Sequence, residues 1–268
     1  MDACLHILLL DQRGERPLRS GDREVLQIVR TMIHVTGISG HSILKLTEEV
    51  GLSTRDCFPI ARSIVESTIN IIFIMARGKV AAQKADRHAL QKSYRDLHRK
   101  SEGVGWRIEL KSNLELASED ATRLEQLTKE FTTKKGAEKR DWTDESISER
   151  IAAAAGIFPE KSLVSLRTAF LGIYRHSSEV VHGTYFGAMF FWGLTTLGRR
   201  VKEKEDLEQV LADQQFSVLT SVIFALTALL ECFCQYVGEP SLGDLASKEA
   251  LSLQELPLIK EAMLSSSN

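Results

Sequence analysis

Residues 59–77 read PIARSIVESTINIIFIMAR. They carry Ile60, Ile64, Val65, Ile69, Ile71, Ile72, Phe73 and Ile74, yet place Arg62, Glu66 and Asn70 at intervals of four. A spacing of four returns to the same face of a helix, so the stretch predicts an α-helix that is apolar around most of its circumference and bears one polar stripe. Pro59 suits the first turn of such a helix and Gly78 a stop. A charged stripe on so apolar a helix costs several kcal/mol unless it is paired or lines a wet cleft. Two arrangements satisfy that condition. Either Arg62 and Glu66 pair along the helix, or Glu66 or Asn70 faces a second polar stripe and orients it.

The rest of the chain agrees with a helical protein. Its 268 residues are 43% hydrophobic with only five prolines, and long Leu/Ile/Ala/Glu/Lys-rich runs dominate. That composition supports a sizeable core and an all-α fold. Working outward, helices are predicted from about Asp22 to Val35, capped by Ser20 or Asp22 and stopped at Gly37, and from His41 to Val50. Val80–Glu102 reads as a long basic helix and Ile108–Phe131 as another, with Leu110, Leu114, Leu116, Leu124 and Leu127 in helical rhythm. Thr132–Lys139, TTKKGAEK, is the central loop. In DWTDESISERIAAAAG, Asp141–Gly156, Thr143 is the expected cap, with Glu145 or Ser146 in the first turn. Further helices are expected from Pro159, onward to Gly198, and from Gln209 to Val237, closed by Gly238 and Pro240. No repeat and no strand stands out. The organisation is an N-terminal segment (1–21), one helical domain (22–238) and a helical or loose tail (239–268).

Charge and cysteines narrow the function. A net charge of −2 argues against a general polyanion binder, so any nucleic-acid role needs a local patch. Arg77–Lys111 offers one, with ten basic residues against four acidic. It reads as a solvated helix face or as a phosphate-tracking surface. Cys4, Cys57, Cys232 and Cys234 have no zinc-ligand spacing and read as reduced thiols of a cytoplasmic protein without a signal peptide. Gly183–Gly198 and Gln214–Leu230 are uncharged but shorter than the ~20 residues that span a bilayer. They predict a buried helical hairpin rather than a membrane one.

The second polar stripe is YRHSSEVVHGTY, Tyr174–Tyr185. Taken as helix, Arg175 and His182 fall within roughly 20° of each other and about 10.5 Å apart along the axis. Ser178 and Glu179 lie between them on that face, while His176 points about 100° away. No HExxH, phosphate loop or nucleophile elbow accompanies them, and neither metal nor cofactor is implied. An arginine and a histidine are what RNA cleavage by its own 2′-hydroxyl requires. The histidine moves a proton near neutral pH, and the guanidinium holds the phosphate as negative charge develops. A second proton carrier is needed, either His176 or a second copy of His182 across a two-fold interface. The competing reading is a non-catalytic helical module that binds RNA or nucleotide, or docks a partner protein.

Arg175-x6-His182, with His176 directly after the arginine, resembles the Rx4–6H motif of HEPN (higher eukaryotes and prokaryotes nucleotide-binding) domains. The frame ARSIVESTINIIFI (Ala61–Ile74), DWTDESISERIAAAAG and YRHSSEVVHG resembles more closely a bacterial family known as domain of unknown function 5677. The likeness implies an up-and-down helical bundle with peripheral helices that dimerises with its Arg and His copies at the subunit cleft. It also implies a metal-independent endoribonuclease of the toxin or abortive-infection kind, held by an antitoxin or sensor protein. Arg175 would bind the scissile phosphate, His182 act as acid/base and His176 assist. Arg62, Glu66, Asn70, Tyr174, Ser178, Glu179 and Tyr185 are supporting candidates. Tyr185 lies three residues after the histidine, where some toxin members place a tyrosine two after.

Overall fold

A computed structural model describes residues 21–96, 98–111, 118–195 and 201–239. The helices are α1 (Arg23–Leu46), α2 (Thr54–Arg77), α3 (Lys79–Asp96), α4 (Ser118–Glu130), α5 (Ile147–Ala153), α6 (Glu160–Val181), α7 (Tyr185–Phe191) and α8 (Lys204–Tyr236). A hairpin of β1 (His98–Gly103) and β2 (Trp106–Lys111) separates α3 from α4. The all-α class expected from composition holds.

The isoleucine-rich helix is the centre of the molecule. It packs against α1, α6 and α8, and also meets α3 and α5. Ile64, Val65, Ile69, Ile71, Ile72, Phe73 and Ile74 are each at most 2% exposed. Every such side chain removed from water contributes about 1.5–3 kcal/mol, so a helix apolar on all sides is stable only when covered on all sides. The helix starts one turn earlier than Pro59 suggests, at Thr54, and Gly78 ends it with φ +68°. Gln215 of α8 clamps the α1–α2 connection, its Nε2 donating to the Thr47 carbonyl at 2.8 Å. By length and composition α2 and α8 are apolar enough to cross a membrane, but 61% and 50% of their most apolar windows are buried within the fold.

Several boundaries differ from the sequence expectation. One helix, α1, runs through the predicted stop at Gly37 and takes in the second predicted helix only as far as Leu46, with Gly40 buried in ordinary contact distance of Leu226. Asp22 caps it as expected, accepting from the Glu24 and Val25 amides. The basic helix stops at Asp96, and Arg107–Lys111 pairs as a strand instead of opening a helix. The cause is the Gly103-Val104-Gly105 turn, where Gly105 takes φ +78° and the Trp106 ring lies where a Gly103 side chain would sit. Ser146, not Thr143, caps α5, in a reciprocal capping box with Glu149. Among the described residues of the uncharged run after Gly183, through 195, the seven-residue α7 is the only helix, in place of the long one expected there. Predictions for residues 1–20, 97, 112–117 (Leu114 and Leu116 among them), 196–200 and 240–268 fall outside the described residues.

Candidate functional site

On α2 the pairing expected along the helix is present. Arg62 Nε donates to Glu66 Oε1 at 2.8 Å, and the guanidinium also stacks 4.4 Å over the Tyr174 ring of α6. Tyr174 in turn packs on Phe170, with ring centroids 4.6 Å apart. Asn70 is used differently. Its Oδ1 accepts from Arg150 Nη1 at 2.8 Å, and buried Arg150 also reaches Asp141 and the Glu145 carbonyl. Asn70 therefore anchors α5 to α2.

The same α2 residues face the second stripe as well. Pro59, Arg62, Glu66 and Asn70 line an open cleft of about 370 Å³ whose far wall is Val181 and His182. Two local features present His182 there. Ser177 Oγ donates to the Phe58 carbonyl at 2.8 Å in a buried contact, which locks α6 onto α2 beside Pro59. Then α6 ends at Val181, with His182 as its C-cap (φ −79°, ψ −1°) and Gly183 at φ +61°. A near-helical backbone at His182 preserves its angular relation to Arg175, so both stand on the solvent side of α6 and both are exposed. Arg175 lies outside the cleft proper, with its guanidinium 6.0 Å from the Phe186 ring. No carboxylate among the described residues pairs with it.

The remaining candidates divide between support and other business. Glu179 accepts from Thr184 Oγ1 at 2.6 Å, and Thr184 caps α7 by accepting from the Gly187 amide at 3.0 Å. Glu179 thus sets the α6–α7 turn rather than the arginine or the histidine. Ser178 contributes its carbonyl to the His182 amide at 3.0 Å. Tyr185 is 80% exposed. His176 is on the opposite flank of α6. Its ring stacks on Phe190 at 4.1 Å and 9°, and burial, helped by the Arg175 charge, holds its pKa below the usual histidine range. The structure therefore brings His182 together with Arg62, Glu66 and Asn70, leaves Arg175 beside them, and takes His176 away.

Sequence reasoning missed Ser177, Thr184 and Phe186. A signal existed for Thr184, a hydroxyl residue between Gly183 and an apolar run, the usual place of a helix cap. Nothing local marked Ser177, whose partner is 119 residues away.

The basic helix has a structural occupation. Arg87 pairs with Glu130 at 2.8 Å, Arg95 with Glu138 at 3.1 Å, and Lys79 with Glu24. Lys92 also reaches Glu138, and Lys84 lies 4.0 Å from Asp144. These cations hold α1, α4 and the loop before α5 against α3. The carboxyls of Glu130 and Glu138 sit below their ordinary pKa, chiefly through hydrogen bonds from Arg87 and Lys92. Cys57, Cys232 and Cys234 are free and buried, and burial pushes their thiols up to about 11, 12 and 11. No group of three or more His, Cys, Asp or Glu able to hold a metal ion occurs among the described residues.

Residues 41–197 match the model of a family of unknown function (DUF5677), a span that includes α2, α6 and the cleft between them. No curated protein and no solved structure matches the chain.

Proposed function

This chain belongs to the family of unknown function DUF5677, and we propose that it is a metal-independent endoribonuclease of the HEPN type acting through Arg175 and His182. One observation carries the reading. A guanidinium that no described carboxylate neutralises and an exposed imidazole stand on the same side of α6, two turns apart, next to an open polar cleft. A phosphodiester bound there receives a forked donor from Arg175 on its non-bridging oxygens. His182 takes the proton of the 2′-hydroxyl as its oxygen attacks phosphorus. The bond to the 5′-oxygen breaks, leaving a 2′,3′-cyclic phosphate. The leaving oxygen needs a proton. His176, stacked on the other flank, is not placed to give it, so the second His182 of a homodimer is assigned that role. Arg62, Glu66 and Tyr174 hold the cleft wall, and Glu179 with Thr184 holds the turn that follows the histidine.

The setting proposed for this activity is a cytoplasmic toxin or phage-defence effector restrained by an antitoxin or sensor protein. A non-catalytic module that binds RNA or a partner protein is the second reading. Its partner-docking form is favoured by the pairing of the α3 cations with carboxylates, which leaves little free positive charge on that helix for tracking RNA.

The test is cleavage of total RNA or tRNA by the purified protein in excess EDTA. Arg175→Ala and His182→Ala are each expected to lower the rate by at least about 10²-fold while helicity is kept. His176→Ala is expected to retain most activity. Cleavage indifferent to both of the first two substitutions removes the site. RNA binding without cleavage in the wild type favours the second reading.

A further inference from the structure

The α2 wall of the His182 cleft carries Arg62, Ser63, Glu66, Ser67 and Asn70. We propose that this wall reads a base of the RNA and selects guanine, so that the chain is cut on the 3′ side of guanosine. The proposal rests on the ribonuclease reading for its substrate, and adds the identity of the nucleotide held beside the bond that breaks.

Three of these side chains are only partly engaged. Arg62 spends Nε on Glu66 Oε1 at 2.8 Å and lays its plane over the Tyr174 ring, and those two contacts fix the guanidinium. Its terminal nitrogens have no hydrogen-bond partner among the described residues. Glu66 accepts that single bond, which occupies one of about four acceptor positions on a carboxylate. Asn70 Oδ1 accepts from Arg150, which settles the orientation of the amide and leaves Nδ2 as an unused donor. Glu66 and Asn70 are half-buried rather than sealed, so both remain open to a ligand in the cleft.

A spacing of four residues sets Arg62, Glu66 and Asn70 about 6 Å apart along the helix. Read in that order they present donor, acceptor, donor. The central carboxylate repels a phosphate and favours N–H groups, so this wall suits a base rather than the backbone. A cleft of about 370 Å³ admits a purine and lies within the ~300–1,000 Å³ usual for small-molecule sites.

Among the RNA bases, only guanine offers two adjacent N–H donors, N1–H and N2–H, to the two oxygens of one carboxylate. Its acceptors O6 and N3 flank them, for Arg62 and Asn70. Uracil has a single N3–H between two carbonyls, so the second carboxylate oxygen would face an acceptor. Adenine and cytosine set a ring acceptor beside their one amino group and meet the same repulsion. His182 stands across the cleft, so the guanosine held there is the nucleotide whose 2′-hydroxyl it deprotonates. The bonds made and broken are those given above, and the product on that side ends in guanosine 2′,3′-cyclic phosphate.

Nucleoside 3′-monophosphates titrated into the full-length protein by calorimetry test the pocket without requiring cleavage. The guanosine nucleotide is expected to bind at least about tenfold more tightly than those of adenosine, cytidine and uridine. Inosine 3′-monophosphate, which lacks only the N2 amino group, should lose about fivefold or more. Glu66→Gln exchanges one acceptor for a donor and should bring all four nucleotides within about twofold of one another. The inosine comparison carries the test if that variant fails to fold. No binding of guanosine 3′-monophosphate at about 5 mM, equal binding of the inosine nucleotide, or a preference kept in Glu66→Gln overturns the proposal. Mapping product ends on a defined RNA separates the two readings. Cleavage spread evenly over the bases, with equal nucleotide binding, overturns the guanine pocket and leaves the ribonuclease standing. Guanine-selective binding without cleavage upholds the pocket and favours the binding module.

Discussion

Ser177 shows how much one residue decides at this site. Its hydroxyl spends its hydrogen bond on the Phe58 carbonyl inside the core, and that bond fixes α6 at the height where His182 meets the α2 stripe. Ser177→Ala is expected to cost about 1 kcal/mol by urea denaturation, since a buried carbonyl loses a partner but gains little space. The two half-buried histidines make a separate prediction. Burial holds His88 and His176 below the ordinary histidine pKa, aided by Lys92 and Arg175 respectively. The unfolded chain therefore takes up their protons first as pH falls. Stability is fully present above the unfolded value of about 6.5 and declines as pH drops through it. The urea midpoint should be lower at about pH 5.5 than at about pH 7.5. His176→Phe, which keeps a ring on Phe190, should shrink that difference. An unchanged difference would show that His176 is not one of the groups responsible.

Among the elements, α7 is the most exacting. It sits so close to α6 that a Cβ on Gly187 would lie 2.6 Å from the Glu179 carbonyl oxygen. Gly187→Ala must push the two helices apart, at a cost of about 1–3 kcal/mol. It should also weaken the Glu179–Thr184–Gly187 chain that places the turn after His182. Thermal denaturation gives the first effect, and loss of RNA cleavage out of proportion to the lost stability gives the second. Elements also differ in how far they could be read beforehand. The α2 helix was legible to its C-terminal glycine because apolar periodicity and a φ-permissive stop are local properties. The hairpin was not, because Arg107–Lys111 is short and charged and its strand character comes from the turn that pairs it with β1. Gly37 resembled a helix stop, and only the structure shows α1 running through it to Leu46.

At the scale of the molecule, charge placement matters more than charge count. A basic stretch that reads as a nucleic-acid surface is bound to carboxylates 43 to 55 residues away in sequence. The consequence is measurable if RNA is the substrate. Cations of α3 that are already held by carboxylates release few counterions, so the slope of log affinity against log salt should owe little to that helix. Arg175→Ala should reduce it by about one, whereas Lys79→Ala should leave it nearly unchanged. A steep slope that collapses on substitution of the α3 cations would return the RNA surface to that helix.

What the sequence determined alone was the helical class, the polar stripe on α2, and the two-turn spacing of Arg175 and His182. All three follow from a periodicity of 3.6 residues acting over neighbours in the chain. Tertiary structure decided the company each residue keeps: His182 against Arg62 and Glu66, His176 against Phe190 and Gln214, Asn70 against Arg150, and the α3 cations against distant carboxylates. Those pairings join residues far apart in sequence, and they are chosen by how apolar faces pack, a property of the assembled bundle rather than of any single segment.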